Sequence, residues 1–301
     1  MTYLKQPVLI GEVLFDVFEN GQAILGGAPF NVAWHLQGFG QSPVFISRIG
    51  SDSYGQQIIE TMQAWGMDTA GLQSDPDNPT GMVDIKLYNG QPTFDICNEV
   101  AYDYIDLGQV DEVLSGVSWS ILYHGSLAAR HAKVFDTILQ MRQACEQSFV
   151  DINLRPPWWE KQTLVKLMQG ANWLKVNDDE LITLTGADNN MATLIEAARD
   201  MLTQYDIETI ILTRGAEGAD IIDQDNVLQA EPITVSDIRD TVGAGDAFSS
   251  ICILGSLLGW NGGTILNRAT EFAARICQQD GATQVDHALY DFYRNKWQLS
   301  E

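Results

Sequence analysis

Short apolar runs alternate with longer amphipathic runs along most of this chain. The runs predicted to be strands are 8–18, 44–50, 121–125, 149–154, 172–176 and 208–215. The runs predicted to be helices are 27–39, 53–65, 131–146, 191–203, 243–259 and 263–279. This alternation favours an α/β fold with a central, mainly parallel sheet flanked by helices. Ligands of such folds bind at the carboxyl ends of the strands.

Residues 80–97 follow a different pattern. Two stretches of alternating polar and apolar residues are joined there through Asn89-Gly90, and Asn-Gly between such stretches is a strong hairpin signal. We therefore predict an antiparallel hairpin that forms a small separate layer. The chain shows no internal repeat and no Ser/Pro-rich linker, so we predict that 1–301 forms a single domain.

Composition and charge exclude several classes of partner. The net charge of −23 repels nucleic acid and anionic membranes, and a bound nucleotide would need local N–H donors and a divalent cation. The four cysteines form no Cys-x-x-Cys pair, the first 15 residues lack signal-peptide features, and no apolar run reaches membrane-spanning length. We expect a cytoplasmic protein that binds neither nucleic acid nor membranes.

The segment 240–248, DTVGAGDAF, is the most informative motif in the sequence. Its glycines let several N–H groups point to one place at the start of a helix, which creates an anion site. Asp246 would repel that anion unless it accepts a proton from an attacking hydroxyl, as phosphoryl transfer to an alcohol requires. A simple capped helix is the alternative reading of the motif alone.

Two segments together resemble the signatures of the ribokinase-like (PfkB) family of carbohydrate kinases. The C-terminal signature resembles 240–248, and the N-terminal signature resembles 26–33, GGAPFNVA, about 215 residues earlier. The resemblance extends along nearly the whole chain. It implies a ribokinase-like fold with a small β-sheet lid, built from about 12–25 and 80–100, that covers the sugar and joins two subunits into a homodimer.

The resemblance also implies which residues hold the sugar, namely Asp16, Gly27 and Asn31. Asp16 lies at the end of the predicted first strand, where a carboxylate can accept hydrogen bonds from two adjacent hydroxyls; an ordinary turn residue is the alternative. Phe30 departs from the family pattern, in which a small residue is usual. It either narrows the pocket or packs the helix.

Arg155 ends the stretch Asp151-Ile152-Asn153-Leu154-Arg155, which follows a buried strand and resembles the Asp-x-Asn-x-Arg pattern of fructokinase-like enzymes. An arginine at a strand end can bind phosphate or sugar oxygens. A surface ion pair with Asp151 is an equally good interpretation.

Three further segments resemble the family's nucleotide and cation sites. Asn177 and Glu180 match its Asn-x-x-Glu motif and could order the water around Mg²⁺, although acidic residues are also common at helix starts. By resemblance Thr213 and Gly215 approach the nucleotide phosphates and Gly218 completes the turn, which a plain hairpin also explains. Asp240 aligns with a residue that helps to bind a monovalent cation in several relatives.

These observations predict an ATP-dependent sugar kinase. Asp246 would act as general base toward a primary hydroxyl, while the N–H groups around Gly243, Ala244 and Gly245 stabilise the transferring phosphate. ATP and Mg²⁺ are the predicted cofactors, and K⁺ is a further, optional activator. Walker A, G-x-S-x-G and H-E-x-x-H motifs do not occur in the sequence.

The identity of the sugar is less constrained. Residues 91–103 of the predicted lid contain no Lys or Arg, which favours a neutral sugar, although Arg155 could supply a cation from the main domain. The segments GGAPFNVA and DINLRPP most resemble those of fructokinases, so we predict D-fructose, converted to fructose 6-phosphate. The alternatives are 2-keto-3-deoxygluconate kinase, ribokinase, and a non-catalytic sugar- or nucleotide-binding relative.

Overall fold

The computed structural model describes residues 5–88, 91–230 and 232–299. The strands are β1 Gln6–Ile10, β2 Leu14–Phe18, β3 Ala23–Gly26, β4 Val44–Gly50, β5 Leu72–Asp75, β6 Gly81–Tyr88, β7 Gln91–Ile96, β8 Trp119–His124, β9 Gln147–Asp151, β10 Trp173–Asn177, β11 Thr209–Thr213, β12 Ala219–Ile222 and β13 Val227–Gln229. The helices are α1 Ala28–Gly38, α2 Ser53–Ala64, α3 Leu107–Leu114, α4 Ala132–Ala144, α5 Lys161–Met168, α6 Asp178–Thr185, α7 Met191–Tyr205, α8 Ala244–Leu257, α9 Gly262–Ile276 and α10 His287–Lys296.

A nine-stranded sheet in the order β13-β12-β11-β10-β9-β8-β1-β4-β5 forms the centre of the molecule. The strands from β11 to β5 pair in parallel, whereas β12 pairs antiparallel with both β11 and β13 at one edge. The predicted α/β fold with a mainly parallel sheet is therefore confirmed. The carboxyl ends of the parallel strands share one edge, where β8, β9, β10 and β11 deliver their last residues.

A second, four-stranded sheet has the order β3-β2-β6-β7. It contains the predicted hairpin, because β6 and β7 pair antiparallel, with Lys86 opposite Thr93. The predicted turn residues Asn89 and Gly90 lie outside the described residues. We refer to this four-stranded unit as the small sheet.

The prediction of one strand over 8–18 is wrong. The run contains two strands: β1 lies in the large sheet and β2 lies in the small sheet. The chain changes direction at Gly11, whose φ of +152° is unusual for residues with a side chain. Both strands consist mostly of apolar residues, and Glu12 is the only charged residue between them, so the apolar pattern conceals the bend.

The α1 and α8 helices pack together within the largest hydrophobic cluster of the core. Ten consecutive residues of α8, from Asp246 to Gly255, are buried, so this helix is enclosed on all sides. Phe30 on α1 is fully buried, and its ring lies 5.7 Å from that of Phe45. Phe30 therefore packs the helix into the core, which decides between its two interpretations.

None of the helices in the described part of the chain has both the length and the apolar character needed to cross a bilayer.

Candidate active site

The starts of α1 and α8 bring together two polar side chains from opposite ends of the sequence. The Asn31 amide donates a hydrogen bond of 2.7 Å from Nδ2 to Oδ2 of Asp246. Both side chains are almost fully buried, with 4 % and 8 % of their surfaces exposed. The structure thus joins the two segments that the sequence singled out separately.

The α8 helix begins without a side chain capping its first turn. Its N-cap residue, Gly243, has a φ of +77°, in the left-handed region. Gly245 is exposed although Asp246 beside it is buried. The N–H group of Ala244 makes a long hydrogen bond of 3.3 Å to the Thr241 carbonyl. An uncapped helix start with exposed main chain attracts anions through its N–H groups and its dipole.

The pKa of the Asp246 carboxyl group is shifted upward, toward neutral pH. Burial raises the pKa of Asp246 to about 6, and the hydrogen bond from Asn31 opposes that increase. The negative charge of Asp151 raises the pKa further, whereas Lys175 and Arg155 lower it. A carboxylate with this pKa can accept a proton near neutral pH and release it again.

Gly27 lets the chain pass very close to the loop after β1. Its φ is +114°, and a Cβ atom there would lie 2.6 Å from the Glu12 carbonyl oxygen. Asp16 lies nearby, because a Cβ atom at Gly26 would be 3.9 Å from its Oδ2 atom. Asp16 is half-buried within β2, opposite Ile24, and not at the end of the first strand as predicted.

Glu12 is a buried acidic residue that the sequence analysis missed. Only 3 % of it is exposed, and its Oε2 atom has no hydrogen-bond partner among the described residues. Burial raises the pKa of Glu12 to about 7, and the negative charge of Asp246 contributes to the increase. The available signal was a single charged residue within the apolar run VLIGEVLF.

Arg155 is exposed and lies four residues beyond Asp151, the last residue of β9. Asp151 instead forms a buried ion pair with Lys175, at 2.7 Å. The alternative interpretation of Arg155 as the ion-pair partner of Asp151 is therefore wrong. Burial raises the pKa of Asp16, Glu12 and Asp246, and the positive charge of Arg155 opposes that increase at all three, so Arg155 lies within electrostatic range of these acids.

Residues 15–288 match the pfkB family carbohydrate kinase. The chain belongs to the pfkB family of carbohydrate kinases. It is therefore a sugar kinase by family, as the two signature segments indicated.

Individual proteins are similar to this pfkB kinase over most of its length. It is 26 % identical to a fructokinase from Escherichia coli over 253 residues, which cover 80 % of each chain. A double-mutant fructokinase from Vibrio cholerae, with fructose, ADP and potassium ion bound, superposes with a TM-score of 0.77 at 25 % identity, over 96 % of this chain and 98 % of the other. A 2-dehydro-3-deoxygluconokinase from Thermotoga maritima shares the fold with a TM-score of 0.81 at 16 % identity, over 97 % and 99 % of the two chains.

The predicted nucleotide-binding residues of this kinase lie at the carboxyl ends of β10 and β11. Asn177 and Thr213 end these strands and pair with each other in register. Gly215 follows with a φ of +51° and open space around it. Gly218 has a φ of +94°, and its carbonyl accepts the Arg214 N–H at 2.8 Å. All four predicted residues therefore lie along one edge of the sheet.

Glu180 and Asn177 form a reciprocal cap at the start of α6. The Asn177 side chain accepts the Glu180 N–H at 2.8 Å, and the Glu180 Oε2 atom accepts the Asn177 N–H at 2.9 Å. The Oε1 atom of Glu180 accepts the Leu154 N–H at 3.0 Å. Each carboxylate oxygen retains a second lone pair, so this pair still suits water bound to a hydrated Mg²⁺ ion.

Asp240 organises the loop that leads into α8. Its Oδ1 atom accepts the Val242 N–H at 2.9 Å, and its Oδ2 atom accepts the Gly281 N–H at 3.1 Å. These bonds connect the loop before α8 to the turn beyond α9. Any cation here would be bound by a carboxylate that already has a structural role.

Proposed function

We propose that this pfkB kinase transfers the γ-phosphate of ATP to a primary hydroxyl of a neutral sugar, with Asp246 as the general base. The main observation in support is the contact between Asn31 and Asp246 beside the uncapped start of α8. It brings a carboxylate, a carboxamide and exposed main chain together, and in the proposed reaction these would accept the proton, orient the hydroxyl and attract the phosphate. Phosphoryl transfer to an alcohol needs these three elements together.

The proposed step is a direct displacement at phosphorus. The sugar oxygen forms a bond to the γ-phosphorus while the bond from that phosphorus to the β,γ-bridging oxygen breaks, and ADP leaves with the bonding electrons. The proton of the sugar hydroxyl passes to the Asp246 carboxylate, which later releases it to solvent. The products are a sugar phosphate, ADP and one proton.

Main-chain N–H groups of Gly243, Ala244 and Gly245 would stabilise the negative charge on the transferring group. A single donor of this kind contributes about 3–4 kcal/mol in other enzymes. Mg²⁺, when bound with the nucleotide, supplies positive charge that offsets the repulsion between the phosphates and the acidic site. Asn177 and Glu180 would hold its water, while Thr213, Gly215 and Gly218 would approach the phosphates.

The sugar would lie between the small sheet and α1. Asp16, Gly27 and Asn31 would bind its hydroxyls, and the small sheet would act as a lid that excludes water, the competing acceptor. Arg155 would bind oxygens at the end of the sugar away from Asp246. This arrangement uses the predicted sugar-binding residues, which come from β2, α1 and the segment after β9.

D-fructose is the acceptor that we propose. The E. coli and V. cholerae relatives are named fructokinases. Arg130, which contacts the predicted lid at the Cys97 carbonyl, is neutralised, because it donates two hydrogen bonds of 2.8 Å to Asp103. A neutral sugar is consistent with that charge balance.

One observation favours a second candidate, 2-keto-3-deoxygluconate: Arg155 is exposed and could pair with a carboxylate.

A panel of acceptors tests this proposal. ADP formation should be fastest with fructose and should depend on ATP and Mg²⁺, and runs with and without K⁺ test the cation site at Asp240. The panel must include ribose and 2-keto-3-deoxygluconate. A clear preference for the sugar acid would replace fructose by the second candidate, and ADP release with none of the sugars would favour the non-catalytic alternative.

The pH dependence of activity should follow Asp246. Because burial raises the pKa of this carboxyl to about 6, the base is protonated below that pH and ionised above it. We expect kcat/KM for the sugar to fall about tenfold per pH unit below pH 6. Direct quantification of ADP avoids coupling enzymes that fail in acid. An acidic limb centred near the ordinary aspartate pKa would contradict the assigned environment of the base.

A homodimer formed through the small sheet is our proposal for the assembly. Phe94 on β7 is 64 % exposed and Ile24 on β3 is 37 % exposed, and both strands are edges of the small sheet. Exposed edges and apolar side chains of this kind are commonly covered by a partner. Sedimentation analysis should give twice the monomer mass, and Phe94→Lys should lower it. A wild-type monomer at micromolar concentration would contradict the proposal.

A further inference from the structure

A buried ion pair lies directly beneath the start of α8. The Lys175 ammonium on β10 is 2.7 Å from Oδ1 of Asp151 on β9. Lys175 is 6 % exposed and Asp151 is fully buried. Buried ion pairs of this kind contribute little net stability, because desolvating the two charges costs about as much as their attraction returns. The pair therefore calls for an explanation other than stability.

The other oxygen of Asp151 connects the pair to the catalytic helix. Its Oδ2 atom accepts hydrogen bonds from Ser249 on α8, at 2.6 Å, and from Tyr123 on β8, at 3.0 Å. The Ser249 hydroxyl also lies 3.0 Å from the Gly245 carbonyl. One carboxylate thus links β8, β9, β10 and the first turn of α8.

The Lys175 ammonium lies against the glycine motif itself. A Cβ atom at Gly245 would be 3.4 Å from the Lys175 Nζ atom. Burial acts to lower the pKa of Lys175, but the Asp151 carboxylate more than offsets it, so the net shift is upward and the ammonium keeps its charge. A fixed positive charge therefore lies behind the main chain that faces the proposed phosphate position.

We propose that Lys175 is a positioning residue for phosphoryl transfer. It holds the first turn of α8 in place through Asp151 and Ser249, and it adds positive charge behind Gly245, where negative charge develops on the transferring group. This inference rests on the proposed function. Preorganised charge of this kind acts on the transition state more than on substrate binding.

Lys175→Met tests the proposal, because methionine keeps most of the length and removes the charge. We expect kcat to fall about 100-fold while KM for ATP and for the sugar changes less than about threefold. The acidic limb of the pH profile should also move to higher pH. The loss of Lys175 removes a positive charge that lowers the pKa of Asp246. The other groups that act on Asp246 are the charged residues Asp151, Arg155 and Glu12, and Asn31, which donates a hydrogen bond to Asp246.

A second ion pair, in which the carboxylate is buried and the guanidinium is partly buried, provides the control. Arg48 on β4 and Asp75 on β5 also lie 2.7 Å apart between neighbouring parallel strands, away from α8. Arg48→Met should reduce stability to a similar extent and leave kcat within about threefold of the wild type. Equal losses of kcat in the two variants would overturn the proposal.

Two further variants separate charge from folding. The double variant with Lys175→Met and Asp151→Asn leaves no unpaired charge. It should therefore fold even if Lys175→Met alone does not, but its kcat should remain low. Lys175→Arg keeps the charge and should retain more kcat than Lys175→Met. Recovery of wild-type kcat in the double variant, or equal losses for arginine and methionine, would overturn the inference. Different results would contradict the proposed function itself. These are a wild-type protein that shows no sugar-dependent turnover, or an Asp246→Asn variant that remains active.

Discussion

Asp246→Asn is expected to lower kcat by about 100- to 10,000-fold while the chain still folds and binds ATP. A carboxamide cannot accept the proton of the sugar hydroxyl, so the base is lost. The substitution hardly changes shape, and an amide oxygen can still accept the Asn31 hydrogen bond of 2.7 Å. Because the buried carboxylate is costly, we expect thermal stability at pH 7 to stay the same or to rise slightly. Turnover at saturating substrate, calorimetric ATP binding and thermal melting measure the three expectations.

The comparison variant for this prediction is Asp75→Asn. Asp75 is also a buried carboxylate, and it accepts a hydrogen bond from Arg48 at 2.7 Å. Its replacement should lower the melting temperature, since Arg48 loses its partner, but it should leave kcat nearly unchanged. Near-normal turnover of Asp246→Asn would remove this residue as the general base, whatever the control shows.

Gly243→Ala is expected to be the most damaging small substitution at the site. Residue 243 has a φ of +77°, and an added Cβ atom would lie 2.3 Å from the Ala282 Cβ atom and 2.6 Å from its Cα atom. The contact involves backbone, so the start of α8 must move. We expect kcat to fall about 100-fold or more because the N–H groups lose their alignment. Strain and overpacking together should lower the free energy of unfolding by about 2–4 kcal/mol.

Gly186→Ala separates backbone strain from the steric clash. Gly186 caps the end of α6 with the same φ of +77°, but no atom lies within 4 Å of the position that its Cβ would occupy. It should therefore lose only about 1 kcal/mol of stability and keep full turnover. Denaturant unfolding and steady-state kinetics measure both variants. Equal effects of the two substitutions would mean that the geometry at Ala282 is unimportant.

The regular parts of the fold followed closely from the sequence pattern. The strand predicted at 44–50 is β4, residue for residue, and the helix predicted at 27–39 differs from α1 by one residue at each end. Apolar periodicity succeeds there because Gly or turn residues bound each run. It failed at 8–18, where two strands of different sheets follow each other and both consist mostly of apolar residues, so the bend at Gly11 was marked by a single charged residue, Glu12.

The proposed site could be predicted where its residues lie within short motifs. Asn31 and Asp246 belong to two such motifs, and the structure places them in contact. Glu12 and Lys175 were missed because each is a lone charge within an apolar run, and the partner of Lys175 lies on another strand. Lys175 meets Asp151 only after β9 and β10 pair in register. Local sequence contains no record of such pairing between strands, whereas an isolated charge in an apolar run does indicate an ionisable group that is buried at a cost.

The hydrogen bond between Asn31 and Asp246 joins residues that are separated by 215 positions. During synthesis, Asn31 cannot form this contact until the ribosome has added Asp246, when most of the polypeptide has already been made. Contacts of such large sequence separation form late and slowly. In a refolding experiment, the recovery of kinase activity would therefore report the docking of α1 on α8. A spectroscopic signal that measures only helix content would not detect this step.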